Sequence, residues 1–143
     1  MGFLNSMDIS ASALTAQRVR MDVIAENLAN INTTRTVDGS PYQRRYVVFQ
    51  QREGDTFSGY LGRAQARAAG EGVRVTEIRE DTSPFKLDYN PEHPDANEEG
   101  YVQMPNVDLA VEMVDMMAAT RSYEANVTAI NAVKSMALKA LEI

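Results

Sequence analysis

The chain has 143 residues, about the length of one domain, and its 14 basic residues are outnumbered by 20 acidic ones, which gives a formal net charge of −6. The segments 1–32, 33–105 and 106–143 are each net negative, which argues against binding to nucleic acid or insertion of a basic helix at a membrane surface. The absence of cysteine excludes disulfide frameworks, thiolate zinc sites and cysteine nucleophiles. We expect no cleavable signal peptide, because the first residues lack a basic region followed by a continuous apolar one. We also expect no membrane span, because no stretch reaches about 20 apolar residues.

The first 33 residues predict a long N-terminal helix. Positions a and d of a seven-residue repeat, here called the heptad core positions, are apolar at seven of nine places, and only Ser10 and Gln17 break the pattern. The apolar residues are Phe3, Met7, Leu14, Met21, Ile24, Leu28 and Ile31. Four such heptads favour coiled-coil-like packing against another helix.

Three asparagines crowd the end of this helix, although asparagine is a poor residue for a helix interior. Asn27 and Asn30 fall outside the heptad core positions, so we predict that they face outward. Their amides both donate and accept hydrogen bonds and would be offered to a neighbouring subunit. Asn32, followed by two threonines, is expected to end the helix.

The middle of the chain, 34–105, predicts a small β-rich or extended segment. Residues 41–52 are rich in aromatic and β-branched side chains, and residues 72–80 alternate between apolar and polar, so both predict strands. Between them, 54–71 is rich in glycine and predicts a flexible loop. Residues 83–105 hold four of the five prolines and predict an extended course with many turns.

The most site-like stretch is LDYNPEHPDANEEGY at 87–101. Its acidic residues partly follow the spacing of a calcium loop, but His93 stands where the sharp turn of such a loop needs glycine. His93 is the single histidine, which excludes a multi-histidine metal site. Together with Asp88 and Asp95 it leaves open a metal-dependent or acid–base enzyme. A structural turn is the simpler interpretation, and we expect no catalytic residue, metal site or cofactor.

Residues 106–143 predict a second long helix, which begins at a cap provided by Asn106 or Asp108. Of ten heptad core positions, Thr120 and Lys134 are the two that are not apolar. The other eight are Leu109, Met113, Met116, Tyr123, Val127, Ile130, Ala137 and Leu141. Val114, Met117 and Val133 widen the apolar stripe, which indicates more than one neighbour. The expected fold is therefore mainly α with a β-rich middle, in which the two terminal helices pack as a coiled-coil-like terminal domain.

The prediction for function from these patterns is assembly through both terminal helices. The residues expected to carry assembly contacts are Met7, Leu14, Met21, Ile24, Asn27, Leu28, Asn30, Ile31, Met113, Met116, Tyr123, Asn126, Val127, Ile130 and Leu141.

Particular motifs at both ends resemble those of flagellar axial proteins, the family of rod, hook and hook-associated subunits. The N-terminal motif is Asn-Leu-Ala-Asn-x-x-Thr, here at 27–33, and RSYEANVTAINAVKSM at 121–136 is similar to the matching C-terminal motif. Residues 72–127 are similar to the proximal-rod members of the family, and the short chain fits a rod subunit without large outer domains.

The resemblance implies a structural subunit of the basal-body rod, and no enzyme. Such a subunit would be exported unfolded through the flagellar type III apparatus, without cleavage. It would polymerise in the periplasm into the tube that transmits torque from motor to hook. The implied partners are copies of itself, other rod subunits and the ring at the rod base, with no nucleic acid and no membrane insertion. The alternatives are another flagellar axial protein, a coiled-coil secretion or tail-tube component and, more weakly, the enzyme centred on Asp88, His93 and Asp95.

Overall fold

Two long helices flank a small β-rich middle in a computed structural model that describes residues 3–52 and 72–142. The elements in chain order are α1 (Phe3–Ala29), β1 (Arg45–Gln51), β2 (Val73–Glu80), β3 (Lys86–Tyr89), β4 (Tyr101–Met104) and α2 (Leu109–Leu141). The predicted combination of terminal helices and a β-rich middle is confirmed. The predicted flexible loop at 54–71 lies outside the described residues.

Helix α1 ends at Ala29, a few residues before the predicted boundary at 33. Asn30 ends it through its own side chain, because Asn30 Nδ2 donates to the Glu26 carbonyl at 3.0 Å and Asn30 Oδ1 accepts from the Thr33 hydroxyl at 3.1 Å. The asparagine side chain thereby competes with the backbone for the last helical hydrogen bonds.

Helix α2 begins directly after Asp108, which is its N-cap. The Asp108 carboxylate accepts from the backbone N–H groups of Ala110 at 3.0 Å and Val111 at 3.3 Å, two of the donors that the first turn of any helix leaves without a partner. Of the two predicted caps, Asp108 is the one used.

The two helices run antiparallel and pack on each other. Arg20 of α1 contacts Asp115 of α2, and Asn27, one end of α1, contacts Glu112, near the start of α2. With a rise of about 1.5 Å per residue, α1 and α2 measure roughly 40 and 50 Å. Helix α1 also packs on β1 and β2, whereas α2 packs on no other described element.

Strands β1 and β2 form an antiparallel pair in which Arg45 lies opposite Glu80 and Gln51 opposite Val73, with an irregularity between Val48 and Phe49. The pair is joined to α1 by the Val73 N–H, which donates to Ser12 Oγ at 3.1 Å. The predicted alternation holds only in the first half of β2, because its second half is exposed on both faces.

Strands β3 and β4 form a second hairpin inside the proline-rich stretch that was predicted to be extended. Tyr89 lies opposite Tyr101, and their ring centroids are 5.2 Å apart in an edge-to-face arrangement. Gly100 has a φ of +81°, and a side chain there would approach the Tyr89 ring to 3.0 Å. Glycine is therefore required where the loop re-enters the sheet.

The hydrophobic core is small and lies toward one end of the helix pair. Its buried apolar residues in the described part of the chain are Ala16, Val23, Ile24, Tyr42, Val102, Val107 and Ala119. Many large apolar side chains stay exposed, and most of these belong to α2. So large an exposed apolar surface is typical of a protein that binds partners.

Candidate assembly site

A buried polar network ties the end of α1 to the start of β1 and the start of α2. Asn27 is its centre and is fully buried. Its Nδ2 donates to the Arg45 carbonyl at 2.8 Å and to Glu112 Oε2 at 3.1 Å. Its Oδ1 accepts from the Tyr42 hydroxyl at 2.9 Å and from the Arg45 N–H at 3.0 Å. Two donated and two accepted bonds saturate a carboxamide.

Glu112 continues the network from α2 and is also fully buried. Its Oε1 accepts from Arg44 Nε at 2.5 Å, so that the buried carboxylate is both hydrogen-bonded and paired with a cation. Arg44 reaches Asp115 at 3.4 Å, and Asp115 accepts from Arg20 of α1 at 2.8 Å. Arg20 thus joins α1 to α2, and Arg44 joins the segment before β1 to α2. Removing Arg44 would take from the buried Glu112 carboxylate the cation that is paired with it.

Asn106 extends the same network to the segment after β2. Its Oδ1 accepts from the Arg44 N–H at 2.8 Å, and its Nδ2 donates to the Asp81 carbonyl at 3.0 Å and the Ser83 carbonyl at 3.2 Å. At the other end, burial and then the nearby Glu26 carboxylate raise the pKa of the Tyr42 hydroxyl above its ordinary 10.0, so Tyr42 remains a donor to Asn27.

This arrangement positions elements and offers nothing to a substrate. Every atom of the Asn27 amide and both oxygens of Glu112 are bound to other groups of the same chain. The network fixes how α1, the start of β1 and α2 lie relative to one another. Any assembly of these helices depends on that arrangement.

The prediction that Asn27 faces outward is wrong. The heptad core positions leave Asn27 out of a two-helix contact, but α1 is covered by β1 and β2 as well as by α2, so its buried face is wider than such a contact. Asn27 lies between these neighbours, and its amide is unavailable to another subunit. Asn30 is partly exposed and bonds to its own helix and to Thr33.

The apolar residues predicted on the N-terminal helix all lie on covered surface where the structure describes them. Ile24 is buried, and the others are partly buried: Met7, Leu14, Met21, Leu28 and Ile31. These residues contribute to packing within the chain, and only their partly exposed fraction is available to a neighbour.

On α2, some of the covered residues lie one position before the predicted heptad core positions. Met116, Tyr123, Ile130 and Ala137 are partly buried as expected, and Glu112, Ala119, Asn126 and Val133 complete the covered stripe. Residues predicted at heptad core positions but exposed are Leu109, Met113, Val127 and Leu141. For these four, the inferred packing against the N-terminal helix is wrong.

The exposed apolar residues near the start of α2 form a continuous surface, here called the outward α2 face: Ala110, Met113, Val114 and Met117. They recur three and four residues apart, so they share one side of the helix. Met113 is 53% and Met117 52% exposed. The predicted widening of the apolar stripe by Val114 and Met117 is real, and it points away from α1.

The acidic stretch at 87–101 is the β3–β4 hairpin and its loop. His93 Nδ1 accepts the Asp95 N–H at 3.1 Å, and Asp95 Oδ2 accepts the Thr34 hydroxyl at 2.9 Å. Asp88 lies on β3 and borders a different cavity from Asp95. The three residues of the enzyme alternative are therefore not brought together, and His93 and Asp95 shape a turn.

The sequence patterns did not identify Tyr42, the backbone of Arg45 or Glu112 as the partners of Asn27. No local spacing links residues so far apart in the chain. The one available signal was Glu112 itself, which lies at heptad spacing with Met116, Ala119 and Tyr123 and so belongs to the stripe that α1 covers.

Among residues 3–52 and 72–142, no cluster of three or more His, Asp or Glu side chains could hold a metal ion. Within the same residues, neither helix combines the length and apolar character that crossing a bilayer requires.

Two family models match the ends of the chain. The model described as "Flagella basal body rod protein" matches residues 7–35, and that described as "Flagellar basal body rod FlgEFG protein C-terminal" matches residues 98–143. The first match includes Asn27 and the second includes Glu112, so each match contains one side of the buried contact between the helices.

Curated relatives are similar over the full length. The protein named "Flagellar basal-body rod protein FlgC" from Bacillus subtilis (strain 168) is 57% identical over 145 residues, which cover 97% of this chain and 96% of that protein. Proteins of the same name from Escherichia coli O157:H7 and Borreliella burgdorferi are 47% and 46% identical, and each comparison covers 100% of this chain and 98% of the relative.

Proposed function

Because this chain belongs to the FlgC family of flagellar basal-body rod proteins, and is a structural rod subunit that assembles with other rod components, we propose that it polymerises through its terminal helices. The proposal places it in the proximal rod, within the tube that transmits torque from motor to hook. The observation that carries the proposal is the outward α2 face, an apolar surface that no described element of the chain covers.

The uneven burial along the helices suggests how assembly and folding are linked. Among the side chains of α1 and α2 whose burial the structure describes, the buried ones lie at one end of the pair, from Ala16 to Asn27 and from Glu112 to Ala119. Residues 121–142 of α2 contain no buried side chain. We propose that the end held by the polar network folds in the free chain, whereas residues 121–142 become fully ordered when neighbouring helices cover them in a coiled-coil-like manner.

The further partners and the route follow from the same family membership as proposals. The chain would be exported unfolded through the flagellar type III apparatus, without cleavage, and would occupy the periplasmic part of the basal body next to the ring at the rod base. A small core supports this route, because few buried contacts have to be broken to thread the chain.

The test is complementation of a Bacillus subtilis strain that lacks its own FlgC. We expect the chain to restore swimming and to copurify with isolated basal bodies in a fixed ratio to other rod proteins. Basal bodies that are restored without containing the chain, or a chain that stays inside the cell while swimming returns, would contradict a structural role.

No catalytic role is proposed for the acidic hairpin. The His93→Ala variant should support swimming as the unaltered chain does, because the His93 imidazole accepts one backbone hydrogen bond in a turn. Loss of swimming in this variant, with normal incorporation into basal bodies, would favour the enzyme alternative instead.

A further inference from the structure

An apolar groove of about 670 Å³ lies where α1 ends and α2 begins. Its walls come from Ile31, from Leu87 and Asp88 of β3, and from Leu109 and Met113 of α2. Leu87 is 65% exposed and Leu109 54%, so the groove is lined by large apolar side chains that contact water. Its volume is in the range of sites that bury most of a drug-sized ligand.

The opposite end of the helix pair carries an apolar projection. Asn27 lies beside Glu112, and the helices are antiparallel, so at equal rise Phe3 lies beside Met136. The last turn of α2 therefore extends past the first described residue of α1. In this turn, Leu138 and Leu141 are three residues apart on one side and are 54% and 84% exposed.

Charge favours the meeting of these two ends. The β3–β4 hairpin, which forms one wall of the groove, is acidic, since residues 86–104 contain five acidic residues and one lysine. Of the five, Asp88 lines the groove itself. That lysine, Lys86, is already bound to the Val107 carbonyl at 2.9 Å and to Asp108. Residues 131–142 instead contain two lysines, Lys134 and Lys139, and one glutamate.

We propose that the end of α2 of one copy, carrying Leu138 and Leu141, docks in the groove between α1, β3 and α2 of a second copy. The proposal rests on the rod function and names the surfaces that join successive copies. The two surfaces are different and lie at opposite ends of the molecule, so the contact is heterologous and repeats without closing into a dimer. One helix end buries less area than the roughly 1,200 Å² typical of stable interfaces, so the contact should persist only within the rod.

Cysteine cross-linking tests this contact, because the chain has no cysteine of its own. The full-length variant with Leu87→Cys and Leu138→Cys is expressed in the complemented strain and treated with a short bifunctional thiol reagent. We expect a ladder of covalent multimers in isolated basal bodies. The yield should be at least about tenfold above the control pair, because docking raises the effective concentration of the two thiols to the millimolar range.

The control pair is Ile78→Cys with Leu138→Cys, since Ile78 is 50% exposed on β2 and lies outside the groove. Each single-cysteine variant should give no ladder. Equal cross-linking of the control pair, cross-linking to a different protein, or assembled rods without the Leu87–Leu138 ladder would overturn the proposal. Basal bodies that lack the chain altogether would instead contradict its rod function.

A charge-reversal pair provides a readout that needs no cysteine. Lys139 at the end of α2 and Asp88 in the groove are expected to attract each other in the docked arrangement. Lys139→Glu should therefore reduce swimming. Adding Asp88→Lys should restore at least part of it, because the charges at positions 88 and 139 are then again opposite in sign. If the double variant swims no better than Lys139→Glu alone, or if Lys139→Glu has no effect, the docked arrangement is contradicted.

Discussion

At the scale of single residues, the Asn27 amide makes four hydrogen bonds that join three parts of the chain to α1. The amide satisfies a hydroxyl, a carboxylate oxygen and both backbone groups of Arg45 at the start of β1. An asparagine that would weaken an exposed helix is thus stabilising here, because buried polar groups without partners are costly. Its value to assembly is indirect, through the placement of α1 against α2.

The Asn27→Ala variant should lower the free energy of unfolding by about 3 kcal/mol, because it leaves several buried groups without hydrogen-bond partners. Urea unfolding of the purified chain, followed by circular dichroism, measures this change. The matched control is Asn30→Ala, which removes bonds at a partly exposed helix end and should cost about 1 kcal/mol or less. Equal losses in the two variants would contradict the central role of the Asn27 amide.

The lowered pKa values of Asp108 and Asp81 predict how the stability of the fold responds to acid. The N–H groups of Val111 and Ala110 lower the pKa of Asp108 below its ordinary 3.8, and the Ser83 hydroxyl and N–H lower the pKa of Asp81. Their stabilising contribution is therefore fully present above about pH 4 and is lost as the pH falls through the lower folded pKa values.

The Asp108→Asn variant tests the acid response. Asparagine also caps helices well but does not titrate, so the variant should lose thermal stability less steeply than the original chain between about pH 5 and about pH 3. Thermal midpoints followed by circular dichroism provide the measurement. Identical pH profiles would show that Asp108 does not contribute to the acid response.

At the scale of elements, hydrophobicity places the helices correctly but shifts the packed stripe of α2. A heptad pattern scores apolar residues, so it selects Met113 and Val127 over their polar neighbours Glu112 and Asn126. The structure covers the polar neighbours instead, because Arg44 and Asn27 compensate the buried Glu112. The compensating groups lie far away in the sequence, and no local pattern contains them.

Elements set by local rules could be predicted, and elements set by distant contacts could not. The start of α2 at Asp108 follows from its cap, and the strand at 73–80 follows partly from alternation. The β3–β4 hairpin was missed because its prolines suggested an extended course. It depends on Tyr89 against Tyr101 and on the left-handed Gly100.

Ala119 and Thr120 distinguish the observed stripe from the predicted one. Ala119 is fully buried and Thr120 is exposed, although the heptad pattern assigned a core position to Thr120. Ala119→Asp should lower the free energy of unfolding by about 3 kcal/mol or more, because it buries an uncompensated charge. Thr120→Asp should change it by no more than about 0.5 kcal/mol. Urea unfolding decides between them, and a larger loss for Thr120→Asp would restore the predicted register.

At the scale of the whole molecule, buried polar groups hold the fold together, and exposed apolar groups are available for assembly. Asn27 and Glu112 at the centre of the network are fully buried, and with their partners they give the helix pair one fixed arrangement. Many large apolar side chains of α2 are exposed, where they destabilise an isolated chain in water but would stabilise a polymer. Folding and assembly therefore depend on different residues, and substitutions should separate the two.

Met117 provides this separation, because it is 52% exposed on the outward α2 face, away from α1. Met117→Asp should leave urea unfolding of the free chain within about 0.5 kcal/mol of the original, because no packed contact is lost. It should nevertheless abolish swimming in the complemented strain, since a charge placed in an apolar subunit interface is costly to desolvate. The control is Met117→Leu, which keeps the apolar surface and should swim. Normal swimming with Met117→Asp would show that this face stays exposed to water in the rod.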